Sequence, residues 1–319
     1  MTKSEVQELA LSLSKGAMSE VDAAGAGERA EAGADRRIRI VTDSMTGLPP
    51  ELAREHDIGV VPLHVRFGGE QFTEGVDLTN HEFYRRLREA KALPTTSQPS
   101  AGEFLAAYRA VGHGASAIIS IHASSGLSGT VDAARQAAAM LRDERPDLQV
   151  EVLDTLQIAT AEGIIAIRAA EAAARGASPD EVVAGARALA PKPRILVALE
   201  TLDYLQRGGR IGRARALLGS LLRIRPILTV EEGKVVPRER ARTRTQAIER
   251  IVDLMAEYAQ GRPFGHVGVL QAEAPDAGDE LAHRIRDRFQ VEQFIAAEIS
   301  PVIGTHVGPG AFGATFHCD

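Results

Sequence analysis

The chain of 319 residues carries a formal net charge of −6, with 44% hydrophobic and 25% charged residues. This composition is that of a globular protein, and the length is enough for two domains. The negative charge and the low aromatic content of 4% argue against a general nucleic-acid-binding protein, because such proteins use basic patches and base stacking. The single cysteine, Cys318, excludes an internal disulfide and a cysteine-based zinc cluster.

The sequence also bears on location in the cell. No apolar run reaches the length of a membrane span, and the N-terminus lacks the basic segment and apolar core of a signal peptide. We therefore expect a cytoplasmic protein without a membrane span. Residues 1–36 are rich in Ala, Gly, Glu and Ser and show no strand pattern, which predicts a flexible N-terminal extension.

Strands and helices alternate through the first half of the chain. Residues 37–42 form a β-branched run, and residues 58–67 predict a second strand, at an edge because it contains a proline. Capping boxes that begin at Thr79 and Ser100 each open a helix. This alternation predicts an α/β domain with a parallel sheet over residues 37–160.

The most informative stretch of this first half is Ala115–Met140, where a strand, a polar turn and a helix follow one another. The turn, Ser124–Thr130, holds four hydroxyl side chains and two glycines. Free N–H groups and hydroxyls at a helix N-terminus favour an anionic head group. A second polar segment, Pro94–Ser100, is either a loop with a cap or another hydroxyl-bearing wall of the same site. The alternative for the turn itself is simple helix capping.

The second half of the chain has a different pattern. Residues 227–236 predict a hairpin whose turn is Glu231–Lys234, and several further strands are interspersed with a few helices. Residues 161–319 are therefore expected to form an α+β domain with a largely antiparallel sheet, and the domain boundary is placed near residue 160.

Arginine is concentrated in one segment of this second half, with ten arginines between residues 207 and 244. In a chain of negative net charge this clustering predicts a local positive field. Two interpretations stay open for it. One is an ordinary solvated face, and the other is an exposed Gly-Gly loop that presents guanidinium groups to a phosphate or to an acidic partner.

The histidines give one further candidate. His306 stands before a Gly-Pro turn, where we expect a loop from which the imidazole donates to a carboxylate. His64, His122 and His317 lie in or beside predicted strands, with no spacing typical of a metal site. The sequence also lacks a phosphate-binding loop and a dinucleotide-binding fingerprint. No metal and no cofactor are expected.

A serine hydrolase is the alternative function. Ser128 lies on a strand-to-helix turn, with His306 as a possible base and Asp43 or Asp154 as the orienting acid. The local sequence, GLSGT, departs from the G-x-S-x-G pattern of a nucleophile elbow because the second glycine comes one place early. Nothing in the sequence ties either aspartate to His306.

Taken together, five motifs resemble those of the DegV family of fatty-acid-binding proteins, from about residue 38 to the end of the chain. The motifs are IVTDS (residues 40–44), TTSQPS (95–100), SSGLSGT (124–130), LQRGGRIG (205–212) and HVGPGAFG (306–313). Each is weak alone, whereas their order and spacing are specific. The resemblance implies an α/β domain followed by an α+β domain with the ligand between them.

The resemblance further implies a long-chain fatty acid whose carboxylate is held by Thr96 and Ser128, with help from His306. Ser97 and Gly129, beside the two hydroxyl residues, complete the expected ligand-binding set. The resemblance also implies that the chain is not an enzyme. Chains of this kind are similar to the lipid-presenting subunit of a fatty acid kinase, which serves phospholipid metabolism.

In such a kinase a separate ATP-binding subunit converts the bound acyl group to acyl phosphate. The arginine-rich loop is then a candidate docking face for that subunit, and Arg207 and Arg210 are its expected contacts. Nothing in the sequence indicates the acyl chain length.

Overall fold

The computed structural model describes residues 37–218 and 224–318, which form three β-sheets flanked by helices. The predicted N-terminal extension, residues 1–36, lies outside the described residues. The strands are β1 (Arg37–Asp43), β2 (Ile58–Val61), β3 (His64–Phe67), β4 (Glu70–Thr73), β5 (Thr95–Ser97), β6 (Ala115–His122), β7 (Gln149–Asp154), β8 (Arg194–Ala198), β9 (Arg225–Glu231), β10 (Lys234–Ala241), β11 (Phe264–Gln271), β12 (Val291–Glu298) and β13 (Phe312–His317).

Helices occupy most of the connections between these strands. The α-helices are α1 (Pro50–Glu55), α2 (Asn80–Glu89), α3 (Ala101–Val111), α4 (Thr130–Glu144), α5 (Thr160–Ala174), α6 (Pro179–Leu189), α7 (Asp203–Arg207), α8 (Arg244–Ala259), α9 (Pro275–Arg288) and α10 (Pro301–Val307). Short 3-10 turns follow β1 and α7, at Ser44–Thr46 and Gly212–Leu217. The predicted capping box at Ser100 is formed in full, and the Thr79 hydroxyl accepts from the Glu82 N–H.

The first sheet is parallel, as predicted, with the strand order β2-β1-β6-β7. Helices α3 and α4 cover one face through residues such as Phe104 and Ala134, and helices α5 and α6 cover the other through Ile165 and Val182. Because neighbouring parallel strands end at the same edge of a sheet, the loops after β1, β6 and β7 come together there.

Helices α5 and α6 follow residue 160 in the sequence but pack on the first sheet. The domain boundary near residue 160 stays a prediction, and we propose a boundary between α6 and β8 from this packing. The expected single strand over residues 58–67 is divided into β2 and β3, because Pro62 has no N–H for a ladder hydrogen bond. β2 lies at an edge of the sheet, as expected.

The second sheet has six strands in the order β10-β9-β8-β13-β11-β12, all antiparallel except the β11–β12 pair. Helices α8 and α9 cover one face, and α5 contacts the other. At this contact the hydroxyls of Thr160 and Thr315 are hydrogen-bonded. Gly268 leaves room for them, since a Cβ there would lie 2.4 Å from the Thr160 Oγ1 atom.

The third sheet and the neighbouring helix α10 contain two of the candidate segments. Of the two interpretations left open for Pro94–Ser100, the loop with a cap does not describe Thr95–Ser97, because these residues form β5, which pairs with β3 in the order β4-β3-β5. His306 was expected in a loop and lies in the last turn of α10. None of the helices among the described residues is long and apolar enough to cross a membrane.

Candidate functional site

A cavity of about 1100 Å³, its open mouth included, lies where the carboxyl edge of the first sheet meets β8, β9, β11 and α10. Most of its lining is aliphatic, which suits an apolar ligand with few polar anchors. Representative apolar lining residues are Met45, Leu63, Leu127, Ile158, Ile195, Val197, Leu199, Leu205, Leu228, Val230, Leu270, Ile299, Val302 and Ile303. The polar lining includes Thr96, Ser97, Ser128 and His306, four of the five predicted ligand residues.

The Ser128 hydroxyl lies at the end of the turn that joins β6 to α4. The turn is fixed by the Ser124 hydroxyl, which donates to the Gly233 carbonyl at 2.9 Å and accepts from the Gly126 N–H at 3.1 Å. Ser128 Oγ lies 2.8 Å from Thr130 Oγ1 and accepts from the Thr130 N–H at 3.4 Å. When the Thr130 hydroxyl donates to Ser128, the Ser128 proton is free to face the cavity.

Thr96 and His306 form the second polar anchor. Thr96 in β5 pairs with Val65 in β3, and its Oγ1 atom lies 2.9 Å from His306 Nε2. Burial first, and then the positive charge of Arg210, lower the pKa of His306 to about 4. The imidazole is therefore neutral at pH 7. When its Nε2–H donates to Thr96, the Thr96 proton is free for a carboxylate, as at Ser128.

Two glycines allow close approach around these anchors. A Cβ at Gly208 would lie 2.3 Å from His306 Nδ1, so the loop after α7 reaches the imidazole only as glycine. Gly129, the fifth predicted ligand residue, is not among the residues that line the cavity. A Cβ there would lie 2.9 Å from Gln98 Nε2, so Gly129 packs against the segment that carries Thr96.

The two arginines expected at a docking face lie in different surroundings. Arg207 is exposed at the end of α7. Arg210 is half-buried and lines the cavity, where Nε donates to the Leu127 carbonyl at 3.1 Å and Nη1 to the Gly208 carbonyl at 2.8 Å. Arg210 thus lies in the lining that also contains Thr96 and Ser128, whereas Arg207 stays on the exposed surface expected of a docking residue.

The geometry does not favour the serine hydrolase alternative. His306 contacts Thr96 and Ser128 contacts Thr130, so the expected base is not bonded to the expected nucleophile. The two candidate acids have other partners: Asp43 contacts His122, and Asp154 accepts from the backbone N–H groups of Ser125 and Leu156. A triad requires an acid that orients the base, and none of the described residues serves His306 in this way.

A buried polar network that the sequence did not predict lies behind this site. His122 Nδ1 lies 2.9 Å from Asp43 Oδ2, and His122 Nε2 lies 2.6 Å from Ser120 Oγ. The hydroxyl of Tyr108 donates to Ser120 at 2.8 Å. Asp43 also accepts from the backbone N–H groups of Met45 and Ala123, so this network holds both loops that lead into the cavity.

Glu162 completes the network from α5. It is buried, and the Thr42 hydroxyl donates to its Oε1 atom at 3.0 Å. One ligand atom from each of Asp43, His122 and Glu162 falls within 4.8 Å of the others. Burial raises the pKa of Glu162 well above its ordinary value, and the charge of Asp43 raises it further. Glu162 therefore favours its protonated form.

One signal in the sequence leads to this network. Asp43 ends β1 and His122 ends β6, and these strands are adjacent and parallel. Carboxyl ends of adjacent parallel strands converge, so two polar residues at these positions indicate a contact once the strand order is known. The sequence alone does not supply that order.

Comparison with known proteins identifies the family. A sequence profile described as "Uncharacterised protein, DegV family" matches residues 37–318. The chain belongs to the DegV family. A DegV domain-containing protein of Streptomyces coelicolor is 40% identical to this DegV family member over 280 residues, covering 87% of this chain and 97% of the relative. Protein DegV of Bacillus subtilis is 36% identical over 278 residues, covering 86% of this chain and 97% of the relative.

Solved structures of DegV proteins share the fold. A DegV family protein from Thermus thermophilus, described for its fatty acid binding, has a TM-score of 0.83 and 35% identity, covering 89% of this chain and 100% of that chain. DegV of Bacillus subtilis, described as a fatty acid binding protein, has a TM-score of 0.81 and 35% identity over the same shares. The predicted family and the mixed α/β fold are therefore confirmed.

Proposed function

We propose that this DegV protein binds a long-chain fatty acid, with the acyl chain in the aliphatic cavity and the carboxylate on Thr96 and Ser128. The observation that carries the proposal is that both hydroxyls lie in the lining of the same cavity, whose interior is apolar. Relatives with 35% identity and matching folds are described as fatty acid binding proteins, which supports the same ligand class.

The energetics of this ligand are favourable. A sixteen-carbon chain has about fourteen methylenes, and burial at ~0.8 kcal/mol each contributes roughly 11 kcal/mol before ordering costs. The head group contributes less and sets the orientation. Two hydroxyl protons serve the two carboxylate oxygens, and the Arg210 guanidinium supplies the opposite charge. Ser97 adds a third hydroxyl at the same wall of the cavity.

The test of this proposal is a palmitate titration with two serine variants of the same turn. Ser128→Ala removes a hydrogen bond to a charged group, of about 1.5–3 kcal/mol, and should weaken binding at least tenfold. Ser125→Ala is the matched control, because Ser125 is exposed on that turn and should bind as wild type does. Equal affinities for both variants would contradict the assigned head-group position.

The wild-type protein should also retain lipid when purified from cells and examined by native mass spectrometry. The mass of a fatty acid on the folded protein is the expected result. Wild-type protein that carries no lipid and does not bind added palmitate would contradict the proposal as a whole.

We further propose that the protein presents the fatty acid to a separate ATP-dependent kinase subunit, as a non-enzymatic partner. Exposed arginines on the edge strand β10 and at the end of α7 support a docking face for an acidic partner surface. The exposed arginines at these two places are Arg207 on α7 and Arg238 and Arg240 on β10.

The two arginines of the Gly-Gly loop separate docking from ligand binding. Arg207→Ala should keep palmitate affinity and reduce acyl phosphate formation with a cognate kinase subunit, and added salt should reduce the same step in wild type. Arg210→Ala should weaken palmitate binding itself, because its charge lies in the cavity wall. If Arg207→Ala loses lipid while Arg210→Ala keeps it, the two roles are reversed.

A further inference from the structure

Glu74, just after β4, is buried and connects three separate segments of the chain. Its Oε1 atom accepts from the Val302 N–H at 2.7 Å, and its Oε2 atom accepts from the Ser44 hydroxyl. The Ser44 hydroxyl in turn accepts from the Leu63 N–H at 3.0 Å, and the Glu74 N–H donates to the Leu63 carbonyl at 2.9 Å. One carboxyl group thus joins the turn after β1, the connection between β2 and β3, and the start of α10.

All three of these segments form part of the cavity wall. Met45, beside Ser44, lines the cavity, and so do Leu63 and Val302. Val302 is also in the first turn of α10, whose last turn carries His306. The side chain at the N-cap, Ser300, makes no capping hydrogen bond, so the Glu74 carboxyl takes that place at the first turn of the helix.

We propose that Glu74 is a positioning residue of the fatty acid site, and that gain or loss of its proton sets how firmly these three wall segments close on the acyl chain. This inference rests on the proposed fatty acid binding. Glu74 does not touch the ligand in this proposal, because it acts through Ser44, Leu63 and Val302.

The surroundings of Glu74 favour its neutral form. Burial raises the pKa of Glu74 to about 7, although hydrogen bonds with Ser44, Val302 and Ser300 lower it, and the charge of Asp43 raises it. Tyr84, on α2, also interacts electrostatically with Glu74. Burial raises the pKa of Tyr84, so this side chain stays a neutral phenol. Glu298, on β12, and Glu74 both line a surface groove. Among the described residues no Lys or Arg forms an ion pair with Glu74.

The direction of the pH effect follows from these contacts. The protonated carboxyl carries no buried charge, and its two oxygen atoms can still accept from the Ser44 hydroxyl and the Val302 N–H. The ionised carboxylate is a buried charge without a cation. Loss of the proton from Glu74 therefore weakens the connection between the three wall segments. The stabilisation is present below the ordinary pKa of a glutamate and is lost as the pH rises through about 7. Fatty acid affinity should fall over the same range.

The test compares palmitate affinity at pH 6 and pH 8 in wild type and in Glu74→Gln. Glutamine is the uncharged isostere of glutamate: its carbonyl accepts from the Val302 N–H, and its amide donates to Ser44 Oγ once the Ser44 hydroxyl proton turns away. If palmitate raises the pKa of Glu74 by about half a unit, wild-type affinity falls about 2.5-fold between the two pH values. Glu74→Gln should show equal affinities at both.

Glu82→Gln is the matched control on the neighbouring helix α2. Hydrogen bonds from Arg85 and Arg86 lower the pKa of Glu82 to about 2, so it keeps its charge from pH 6 to pH 8. This control should retain the pH dependence of wild type. A purely structural role for Glu74 predicts instead that Glu74→Gln loses affinity by the same factor at both pH values.

A second measurement needs no ligand. Hydrogen exchange of the Val302 amide, corrected for the intrinsic pH effect, should lose protection from pH 6 to pH 8 in wild type and keep it in Glu74→Gln. Equal pH dependence in both proteins, in affinity or in exchange, would overturn the proposal, and so would a flat wild-type profile. If palmitate does not bind at any pH, the proposed function fails, and the exchange measurement still decides the role of Glu74.

Discussion

The contact between Gly208 and His306 gives a sharp prediction about the head-group site. Gly208 has φ −75° and ψ −6°, a conformation that alanine adopts without strain. A Cβ at this position would nevertheless lie 2.3 Å from His306 Nδ1 and 2.9 Å from its Cε1 atom. Gly208→Ala therefore acts mainly on the space around the imidazole, with a lesser contact at the Tyr204 carbonyl, 3.0 Å from the added Cβ, and leaves the backbone conformation allowed.

The size of the effect follows from the displacement of the ring. An ordinary contact begins near 3.4 Å, so the imidazole has to retreat by about 1 Å. A displacement of this size disturbs the 2.9 Å contact between His306 Nε2 and Thr96 Oγ1, whose geometry a hydrogen bond requires. A neutral hydrogen bond contributes about 0.5–1.5 kcal/mol, so we expect palmitate affinity to fall about two- to thirteenfold.

The assay is a palmitate titration of Gly208→Ala beside Gly185→Ala, whose added Cβ meets nothing within 4 Å. Thermal unfolding of both variants without ligand separates an effect on the site from an effect on the fold. The control should bind palmitate as wild type does. Unchanged affinity in Gly208→Ala, with the imidazole shown by its NMR signals to have moved, would refute a role of the His306–Thr96 contact in binding.

Two further predictions concern buried polar groups. Asp43→Ala leaves His122 and two backbone N–H groups without their acceptor, so the free energy of unfolding in urea should fall by about 3–5 kcal/mol, and a loss below 1 kcal/mol would contradict the network. The lowered pKa of His306, about 4, means that its contribution to stability is present above the ordinary histidine pKa and is lost as the pH falls toward 4. His306→Gln should lose less stability than wild type over this acid range in thermal unfolding, and equal losses would contradict the assignment.

The sequence predicted the parts of the site that local chemistry determines. The strand, the hydroxyl-rich turn and the helix around Ser128 follow one another as expected, because an apolar run, a Gly-Ser turn and an Ala-rich segment each specify their own structure. The alternation of strands and helices was likewise enough to predict the parallel sheet. Thr96 and Ser128, the carboxylate-binding residues that the resemblance to the DegV family implies, both line the same cavity.

The parts that the sequence did not predict depend on distant contacts. Helix α10 contains a glycine and several β-branched residues, so local preference favoured a loop. In the first turn of α10, the Val302 N–H finds its acceptor in Glu74, 228 residues away in sequence. The direction of Arg210 is set in the same way by the Leu127 carbonyl, 83 residues away. No local pattern contains either of these contacts.

The position of the cavity follows from the contacts that side chains make at the carboxyl edge of the parallel sheet. Ligands of open α/β sheets bind beyond the carboxyl ends of the strands. Here the polar residues at those ends, Asp43 and His122, bind each other and are buried. The first hydroxyl beyond β6 that lines the cavity is Ser128, six residues after the strand. The network that closes the edge of the sheet thus leaves the proposed head-group position farther along the turn, at a cavity whose lining is mostly aliphatic.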